Sequence, residues 1–283
     1  MKILVTGANG QLGQDLVKHL GNEHEVFGLG RDQLDITNEN QCYKVISDLK
    51  PDAIIHSAAY TAVDRAEAEE DLAYRINAFG TRNLAVAAEK IGTRLCYIST
   101  DYVFDGTASK PYREYDTTNP QSIYGKSKRA GERLVESISS RYFIVRTSWV
   151  YGLYGVNFVK TMLKLAQDRD TLKVVNDQIG SPTYTVDLAQ FLERLVQTEK
   201  FGVYHASNSG FCSWFDFACA IFEESGLHIK VEPCATEEFQ RIASRPRYTA
   251  MEHLAIRANG FEDLRHWREG LTEFLKEYTE YSS

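Results

Sequence analysis

The sequence predicts an α/β fold: a Rossmann-type doubly wound parallel sheet followed by a smaller C-terminal α/β lobe. Two observations carry this prediction. Short apolar runs alternate with stretches of helical periodicity, which is the pattern of parallel βαβ units, and a glycine-rich turn follows the first run. The chain has 283 residues, of which 43% are hydrophobic. This is enough material for one complete sheet domain and a second, smaller core.

Five short runs rich in β-branched residues mark the strands, and their near-continuous apolarity predicts burial on both faces. Between them, leucines at helical spacing (Leu12, Leu16 and Leu20) predict the first helix, and the alanine-rich stretch 71–90 predicts another. Pro120 precedes a third helix, which carries Tyr124 and Lys128. The predicted strands are 2–6, 25–29, 53–58, 94–99 and 142–147.

The regular alternation loosens after Trp149, where glycines become frequent. We therefore expect residues 1–149 to form the cofactor-binding domain. Residues 186–196 again have the pattern of an amphipathic helix and 202–206 that of a strand, so a segment at about 179–206 is expected to return to the main sheet. Residues 150–178 and 207–283 then form the smaller, substrate-binding lobe.

The charge and the cysteine content limit the classes of partner that the protein is expected to bind. A net charge of −7 gives no general attraction for nucleic acid or an anionic membrane. The five cysteines are odd in number and show no C-x-x-C spacing, so we expect neither a disulfide framework nor a zinc site. No apolar run is long enough for a signal peptide or a membrane span. We therefore expect a cytoplasmic protein, either a monomer or a homodimer, that acts on a small molecule.

The glycine motif G-x-x-G-x-x-G lies between the first strand and the first helix, where dinucleotide phosphates bind. Gly7 permits a tight turn, Gly10 a close approach of the backbone to a pyrophosphate, and Gly13 close packing of helix and sheet. The free N–H groups of the helix N-terminus complete the anion site. The candidate phosphate-binding residues are Gly7, Asn9, Gly10, Gln11, Leu12 and Gly13.

The end of the second strand indicates which nicotinamide cofactor is bound. An acidic residue there accepts hydrogen bonds from the ribose, whereas an arginine accommodates a 2′-phosphate. Here Gly30 is followed by Arg31, which favours NADPH and leaves NADH open. Asp35 and Ile36 are candidates for contacting the adenine. The alternatives are that Arg31 is a solvated loop residue and that Asp35 caps the next helix.

Tyr124 and Lys128 are four residues apart, so on a helix they share one face. A phenol is a sluggish acid–base group near neutral pH, and a neighbouring ammonium favours its ionisation and lowers its pKa. Thr100 stands at the end of the fourth strand, where ligands bind in such sheets. The three side chains therefore predict proton transfer to a carbonyl or alcohol oxygen.

These motifs resemble the extended short-chain dehydrogenase/reductase family, and within it the dTDP-4-dehydrorhamnose reductase family. The closer resemblance is carried by residues 58–64, 99–104, 146–151 and 175–183, and a weaker similarity is found at 243–246 and around Trp267. It implies reduction by NADPH of the 4-keto group of dTDP-6-deoxy-L-lyxo-4-hexulose, which gives dTDP-L-rhamnose. In that reaction Tyr124 protonates the developing alkoxide, Thr100 hydrogen-bonds the same oxygen, and Lys128 lowers the phenol pKa and binds the ribose.

The resemblance also assigns binding residues. Ala58, Ala59 and Tyr60 would line the ribose and nicotinamide. Asn157 and Arg245 are the candidates for the pyrophosphate of the nucleotide sugar, although Arg245 could instead form a surface salt bridge. The positions that would contact the sugar are Val63, Asp64, Asp101 and Trp149, together with Thr100.

Two further readings remain open at this stage. One is an epimerase or dehydratase acting on another nucleotide sugar, although a dehydratase is expected to have Glu after Asp101, where this chain has Tyr102. The other is a non-catalytic, NADP-binding regulatory subunit. Some family members hold Mg²⁺ at a dimer interface. Here Asp15, and Val186 beside Asp187, form an incomplete acidic set, so we expect no metal site.

Overall fold

The computed structural model describes residues 1–239 and 241–282. The strands are β1 (Lys2–Thr6), β2 (Glu25–Leu29), β3 (Ala53–His56), β4 (Arg94–Thr100), β5 (Tyr142–Thr147), β6 (Val150–Tyr151), β7 (Thr171–Val175), β8 (Ile179–Gly180), β9 (Thr183–Tyr184), β10 (Gly202–His205), β11 (Cys212–Ser213) and β12 (Lys230–Cys234). The α-helices are α1 (Gln11–Leu20), α2 (Glu39–Leu49), α3 (Val63–Ala66), α4 (Glu70–Tyr74), α5 (Thr81–Ile91), α6 (Ile123–Ile138), α7 (Phe158–Leu165), α8 (Thr185–Val196), α9 (Trp214–Glu224), α10 (Leu254–Ala258) and α11 (Trp267–Ser282).

Six parallel strands form the central sheet in the order β10-β5-β4-β3-β1-β2. The chain leaves β1 toward β2 on one side and continues from β3 to β5 on the other. The strand order therefore reverses between β1 and β3, and ligands of doubly wound sheets bind at the carboxyl ends of the strands at such a point. The predicted Rossmann-type fold is confirmed.

Helices cover both faces of this sheet. On one face, α1 and α8 pack their leucines on β1, β3 and β5. On the other face, α2, α5 and α6 bury Ile46, Leu84 and Val135 against the same strands. Burial on both faces explains why the strands read as continuous apolar runs instead of alternating ones.

A second apolar core lies in the C-terminal part of the chain. It is formed by α7, α9 and α11 with the parallel pair β7 and β12, and aromatic rings such as Phe217 and Phe274 fill it. In the chain, α8 and β10 lie between the elements of this second core, but they return to the main sheet. There β10 pairs with β5 and α8 packs beside α1. No helix among residues 1–239 and 241–282 combines the length and apolarity of a membrane span.

The helix predicted over 71–90 is interrupted. Residues Arg75–Gly80 form a π-helical turn between α4 and α5, a feature that occurs frequently at functional sites. The interruption brings Arg75 and Ile76 to the wall of the cavity described below. Periodicity could not reveal it, because one extra residue per turn leaves the apolar spacing of the flanking turns unchanged.

Candidate functional site

A cavity of about 930 Å³ opens at the carboxyl ends of the central strands, at the point where their order reverses. It is lined by eighteen of the twenty-one predicted site residues. These are Gly7, Asn9, Gly10, Gln11, Leu12, Gly13, Arg31, Asp35, Ile36, Ala58, Ala59, Tyr60, Val63, Thr100, Asp101, Tyr124, Lys128 and Trp149. Asp64, Asn157 and Arg245 are not part of its lining.

The glycine turn is built so tightly that side chains are excluded. Gly7 has φ +69°, and a Cβ there would lie 2.7 Å from the backbone of Ala58. A Cβ on Gly13 would lie 2.1 Å from the carbonyl oxygen of Gly7. Since real Cβ atoms do not approach this closely, both positions require glycine, as the motif predicted.

The N-terminus of α1 faces the cavity without a side chain to cap it. Gly10 occupies the N-cap position, and no acidic residue stands in the first turn. The first N–H groups of a helix have no intrahelical partners and carry the positive end of the helix dipole. This end of the cavity can therefore hold a phosphate.

The far end of the cavity carries two arginines. Arg31 follows β2 and Arg75 begins the π-helical turn. Hydrogen bonds from Thr37 lower the pKa of the Asp35 carboxyl, and the charges of Arg31 and Arg75 add to this. Asp35 does not cap α2, because Asn38 does so; that alternative is wrong. Sequence reasoning missed Arg75, since only the π turn brings it here.

Tyr124 and Lys128 project from the first turns of α6. Ser122 caps this helix by accepting from the N–H of Gly125 at 3.2 Å. A Cβ on Gly125 would lie 2.2 Å from the carbonyl oxygen of Tyr102. The helix therefore lies directly against the segment that follows β4, which puts the Tyr124 phenol near the Thr100 hydroxyl.

Burial sets the protonation of the phenol. It raises the pKa of Tyr124 to about 12, a hydrogen bond with Thr100 acts in the opposite direction, and the charge of Asp101 adds to the increase. Lys128 is not among the groups that shift this pKa. Desolvation is thus the largest influence on the phenol, and the role of Lys128 in lowering its pKa stays a prediction.

Lys128 is part of the cavity floor and is almost fully buried. Its Nζ donates to the carbonyl oxygen of Ile98 at 2.7 Å and lies 4.1 Å from the centre of the Tyr97 ring. The side chain is 2% exposed. Burial lowers its pKa to about 7, and the charge of Glu132 opposes this decrease. The amine therefore titrates near neutral pH, unlike a surface lysine.

Asp101 places a second acid beside the phenol. Its Oδ1 accepts from the Thr100 hydroxyl at 3.0 Å, whereas Oδ2 is buried and has no hydrogen-bond partner among the described residues. Burial raises the pKa of this carboxyl to about 6, although the nearby Thr249 and Thr100 hydroxyls act to lower it. A buried oxygen without a partner, on the wall of a cavity, is a position for a ligand hydroxyl.

A buried ion pair supports this wall from below. Arg146 donates to Glu132 through Nε and Nη2, both at 2.9 Å. Ser99, which lines the cavity, donates to the same carboxylate at 2.6 Å. Glu132 is four residues beyond Lys128 on α6. That spacing is the one signal in the sequence that could have indicated a role for Glu132.

Trp149 adopts a left-handed backbone conformation with φ +47°. For a bulky residue this costs about 1–3 kcal/mol and persists only where the surroundings enforce it. The indole lines the cavity next to Ser148 and Val150, and it stacks on Trp214 with a centroid distance of 3.5 Å. Neither the conformation nor the stack was predictable from the sequence.

The three predicted residues outside the lining have other partners. Arg245 donates to Asp64 at 2.9 Å, which is the salt bridge considered as the alternative, yet its Nη1 is buried and unpaired among the described residues. Asn157 caps α7 and donates to the Gln11 side chain at 2.8 Å. Its amide is thus engaged in the fold, and its contact with a pyrophosphate stays a prediction.

The acidic positions considered for a metal are also engaged. Asp187 accepts from Arg265 and Asn208, each at 2.6 Å, and Asp15 accepts from Thr185 at 2.5 Å. Across residues 1–239 and 241–282, no three His, Cys, Asp or Glu side chains are grouped so that they could hold a metal ion.

Comparison with known proteins gives consistent matches over the whole chain. The family model of the RmlD substrate binding domain matches residues 1–280. The spore coat polysaccharide biosynthesis protein SpsK of Bacillus subtilis is 47% identical, with 98% of this chain and 97% of that protein covered. A dTDP-4-dehydrorhamnose reductase of Aggregatibacter actinomycetemcomitans is 44% identical, with 89% and 90% covered.

A solved structure agrees equally well. The dTDP-4-dehydrorhamnose reductase of Bacillus anthracis, determined in complex with NADP, is 49% identical and superimposes with a TM-score of 0.96. The match covers 98% of this chain and 100% of that one.

Proposed function

The chain belongs to the RmlD substrate binding domain family, together with the dTDP-4-dehydrorhamnose reductases it matches, and we propose that it catalyses their reaction. It reduces the 4-keto group of dTDP-6-deoxy-L-lyxo-4-hexulose with NADPH and forms dTDP-L-rhamnose. The observation that carries this proposal is the single cavity that joins an anion-binding glycine turn to Tyr124, Thr100 and Asp101.

The cavity fits NADPH at both ends of the cofactor. The space that a Cβ on Gly7 or Gly13 would fill is taken up by backbone, so the turn presents bare N–H groups to the pyrophosphate. Arg31 and Arg75 supply positive charge for the 2′-phosphate. When bound, NADPH supplies the hydride that reduces the carbonyl carbon. Lys128 and Tyr60 complete the proposed cofactor site, together with Asn9, Gly10, Gln11, Leu12, Asp35, Ile36, Ala58 and Ala59.

Tyr124 supplies the proton. A phenol whose pKa is raised to about 12 stays protonated at neutral pH, which is the form that a reduction requires. The Thr100 hydroxyl donates to Asp101 Oδ1 in the structure, and it turns to donate to the same substrate oxygen when the sugar binds. As negative charge develops on that oxygen, these donors stabilise it.

The sugar lies between Tyr124 and Trp149, and the nucleotide extends toward α3. Asp101 accepts a sugar hydroxyl through its unpaired Oδ2. Val63 lines the same side of the cavity. Arg245 binds the pyrophosphate through its unpaired Nη1, while Asp64 holds the other guanidinium nitrogen. This arrangement uses both the salt bridge and the phosphate contact that were considered for Arg245.

We further propose that residues 1–149 with about 179–206 bind the cofactor, and that 150–178 and 207–283 bind the nucleotide sugar. The two separate apolar cores support this division. The reaction takes place in the cytoplasm, in keeping with the five free cysteines. The enzyme acts as a monomer or a homodimer, which size-exclusion chromatography with light scattering would decide.

The decisive experiment is turnover with a defined substrate. Purified protein is mixed with NADPH and dTDP-6-deoxy-L-lyxo-4-hexulose, NADPH absorbance is followed, and the product is identified by NMR against dTDP-L-rhamnose. UDP-linked 4-keto sugars serve as the comparison. Stoichiometric NADPH consumption with formation of dTDP-L-rhamnose is expected. If the sugar is epimerised or dehydrated without net consumption of NADPH, the proposal is wrong.

Tyr124→Phe removes the proton donor and little else. We expect turnover to fall by about two orders of magnitude or more, the range of general acid catalysis, while the dissociation constant of NADPH stays within about twofold. Tyr142→Phe, which removes a partly buried phenol at the start of β5, is the matched control. Turnover of Tyr124→Phe close to that of the wild type would exclude Tyr124 as the acid.

A further inference from the structure

Trp214 lies behind the cavity wall and is not part of its lining, yet its ring is the one that meets Trp149. The two indoles are stacked with centroids 3.5 Å apart and planes inclined by 7°. Phe158 contacts Trp214 as well, with centroids 4.5 Å apart. One face of Trp149 is therefore covered by an aromatic cluster of the smaller lobe, and the rest of the ring is left toward the cavity.

Trp214 is itself held firmly. It is the first residue of α9, whose N-terminus is fixed by a reciprocal capping box between Ser213 and Asp216. Ser213 also belongs to β11, which pairs with β8. The position of the Trp214 ring is thus set by a helix cap and a strand pair.

The same strand pair controls a second contact of Trp149. Gly180, the last residue of β8, lies so close to the indole that a Cβ on it would be 2.6 Å from Cε2 and 2.7 Å from Nε1. Trp149 is therefore confined by the Trp214 ring and by the Gly180 backbone. This confinement accounts for its retention of a left-handed backbone conformation.

We infer that Trp214 is a positioning residue: it fixes the Trp149 indole as the surface on which the hexose ring of the nucleotide sugar binds. The inference rests on the proposed function. An indole offers an apolar face to sugar C–H groups and an N–H donor to a hydroxyl.

The inference predicts a loss confined to the sugar. In Trp214→Ala the indole of Trp149 loses its support, and the affinity for dTDP-L-rhamnose should fall by about 3- to 10-fold, the range expected for one aromatic stacking contact. The affinity for dTDP, which lacks the hexose, and for NADPH should change by less than about twofold. Trp214→Phe retains a stacking ring and should restore most of the affinity. Dissociation constants are measured by isothermal titration calorimetry.

Gly180→Ala tests the same point without removing an aromatic side chain. Its methyl group displaces the Trp149 ring from the other side, so the same selective loss for dTDP-L-rhamnose is expected even if Trp214→Ala folds poorly. Trp267→Phe is the matched control, because Trp267 is packed in the same lobe against Phe217 and is not part of the cavity lining.

Two results would overturn the inference: equal losses for dTDP and dTDP-L-rhamnose, or unchanged affinity for both in Trp214→Ala and Gly180→Ala. A wild-type protein that binds both ligands but does not reduce the keto sugar would instead refute the proposed function. The affinity comparison would still be readable in that case, so the two failures are distinguishable.

Discussion

Asp101 is predicted to destabilise the folded protein at neutral pH, because its carboxyl is buried in the wall of the cavity. Its carboxyl is 2% exposed, and Oδ2 has no hydrogen-bond partner among the described residues. Asp101→Asn keeps the shape of the side chain and the accepting Oδ1 but removes the ionisable group. The substitution should therefore stabilise the fold while it weakens catalysis.

The magnitude follows from the pKa, which is raised from 3.8 to about 6. Each tenfold change in a proton-binding constant is worth about 1.4 kcal/mol, so ionising this buried group costs the folded state up to about 3 kcal/mol. Because the folded-state pKa lies above the unfolded one, the folded state binds the proton more tightly. The contribution to stability is full below pH 3.8 and is lost as the pH rises through about 6.

The assay is thermal unfolding of both proteins at pH 4 and pH 8, monitored by circular dichroism. The buried amide nitrogen of Asn recovers only part of the energy, so at pH 8 we expect a gain of about 1–3 kcal/mol, or about 2–6 °C in Tm. At pH 4 the gain should be near zero. A melting temperature for Asp101→Asn that is unchanged or lower at pH 8, or a gain of equal size at both pH values, would refute the reasoning.

Three further substitutions test other parts of the structure. Glu132→Ala leaves the Arg146 guanidinium, 2% exposed, without its partner, and should lower the free energy of unfolding by about 3–5 kcal/mol in urea titrations; a loss below 1 kcal/mol would contradict burial of the pair. Gly13→Ala places a Cβ 2.1 Å from the Gly7 carbonyl oxygen and should weaken NADPH binding by about tenfold or more in fluorescence titrations. Unchanged affinity would count against binding of the pyrophosphate by the glycine turn. Arg31→Ala should weaken NADPH more than NADH, and equal weakening would show that Arg31 does not contact the 2′-phosphate.

The main sheet was predictable because burial on both faces leaves a continuous apolar signature in each strand. The glycine turn was predictable for a related reason: at Gly7 and Gly13 only a residue without Cβ fits, so the constraint is visible in the residue type. The order of the strands, by contrast, depends on which side each crossover takes, and the residues of single strands do not contain that information.

Features of the site that are created by long-range contacts could not be predicted from the sequence. Arg75 reaches the cavity only through the π-helical turn, and Trp214 reaches Trp149 across 65 positions of the chain through the β8–β11 pair. Asn157 illustrates a different difficulty. The resemblance assigns it to the pyrophosphate, and in the structure it caps α7 and donates to Gln11. Helix capping and ligand binding require the same kind of side chain, so the sequence alone cannot separate them.

The electrostatics of Tyr124 and Lys128 show how burial changes the meaning of a motif. Spacing alone suggests that an ammonium ionises a phenol, but burial disfavours both charges and leaves a tyrosine with its pKa raised to about 12 and a lysine with its pKa lowered to about 7. For the proposed role of Tyr124 as the acid this is the useful arrangement, because the acid must hold its proton until the carbonyl oxygen becomes basic. Charge of opposite sign brought near Lys128 raises the pKa of its amine and restores the ammonium. In the same way Glu132 already opposes the effect of burial. The motif is thus completed by its environment: α6 sets the spacing of the two groups, and the depth of the cavity sets their protonation.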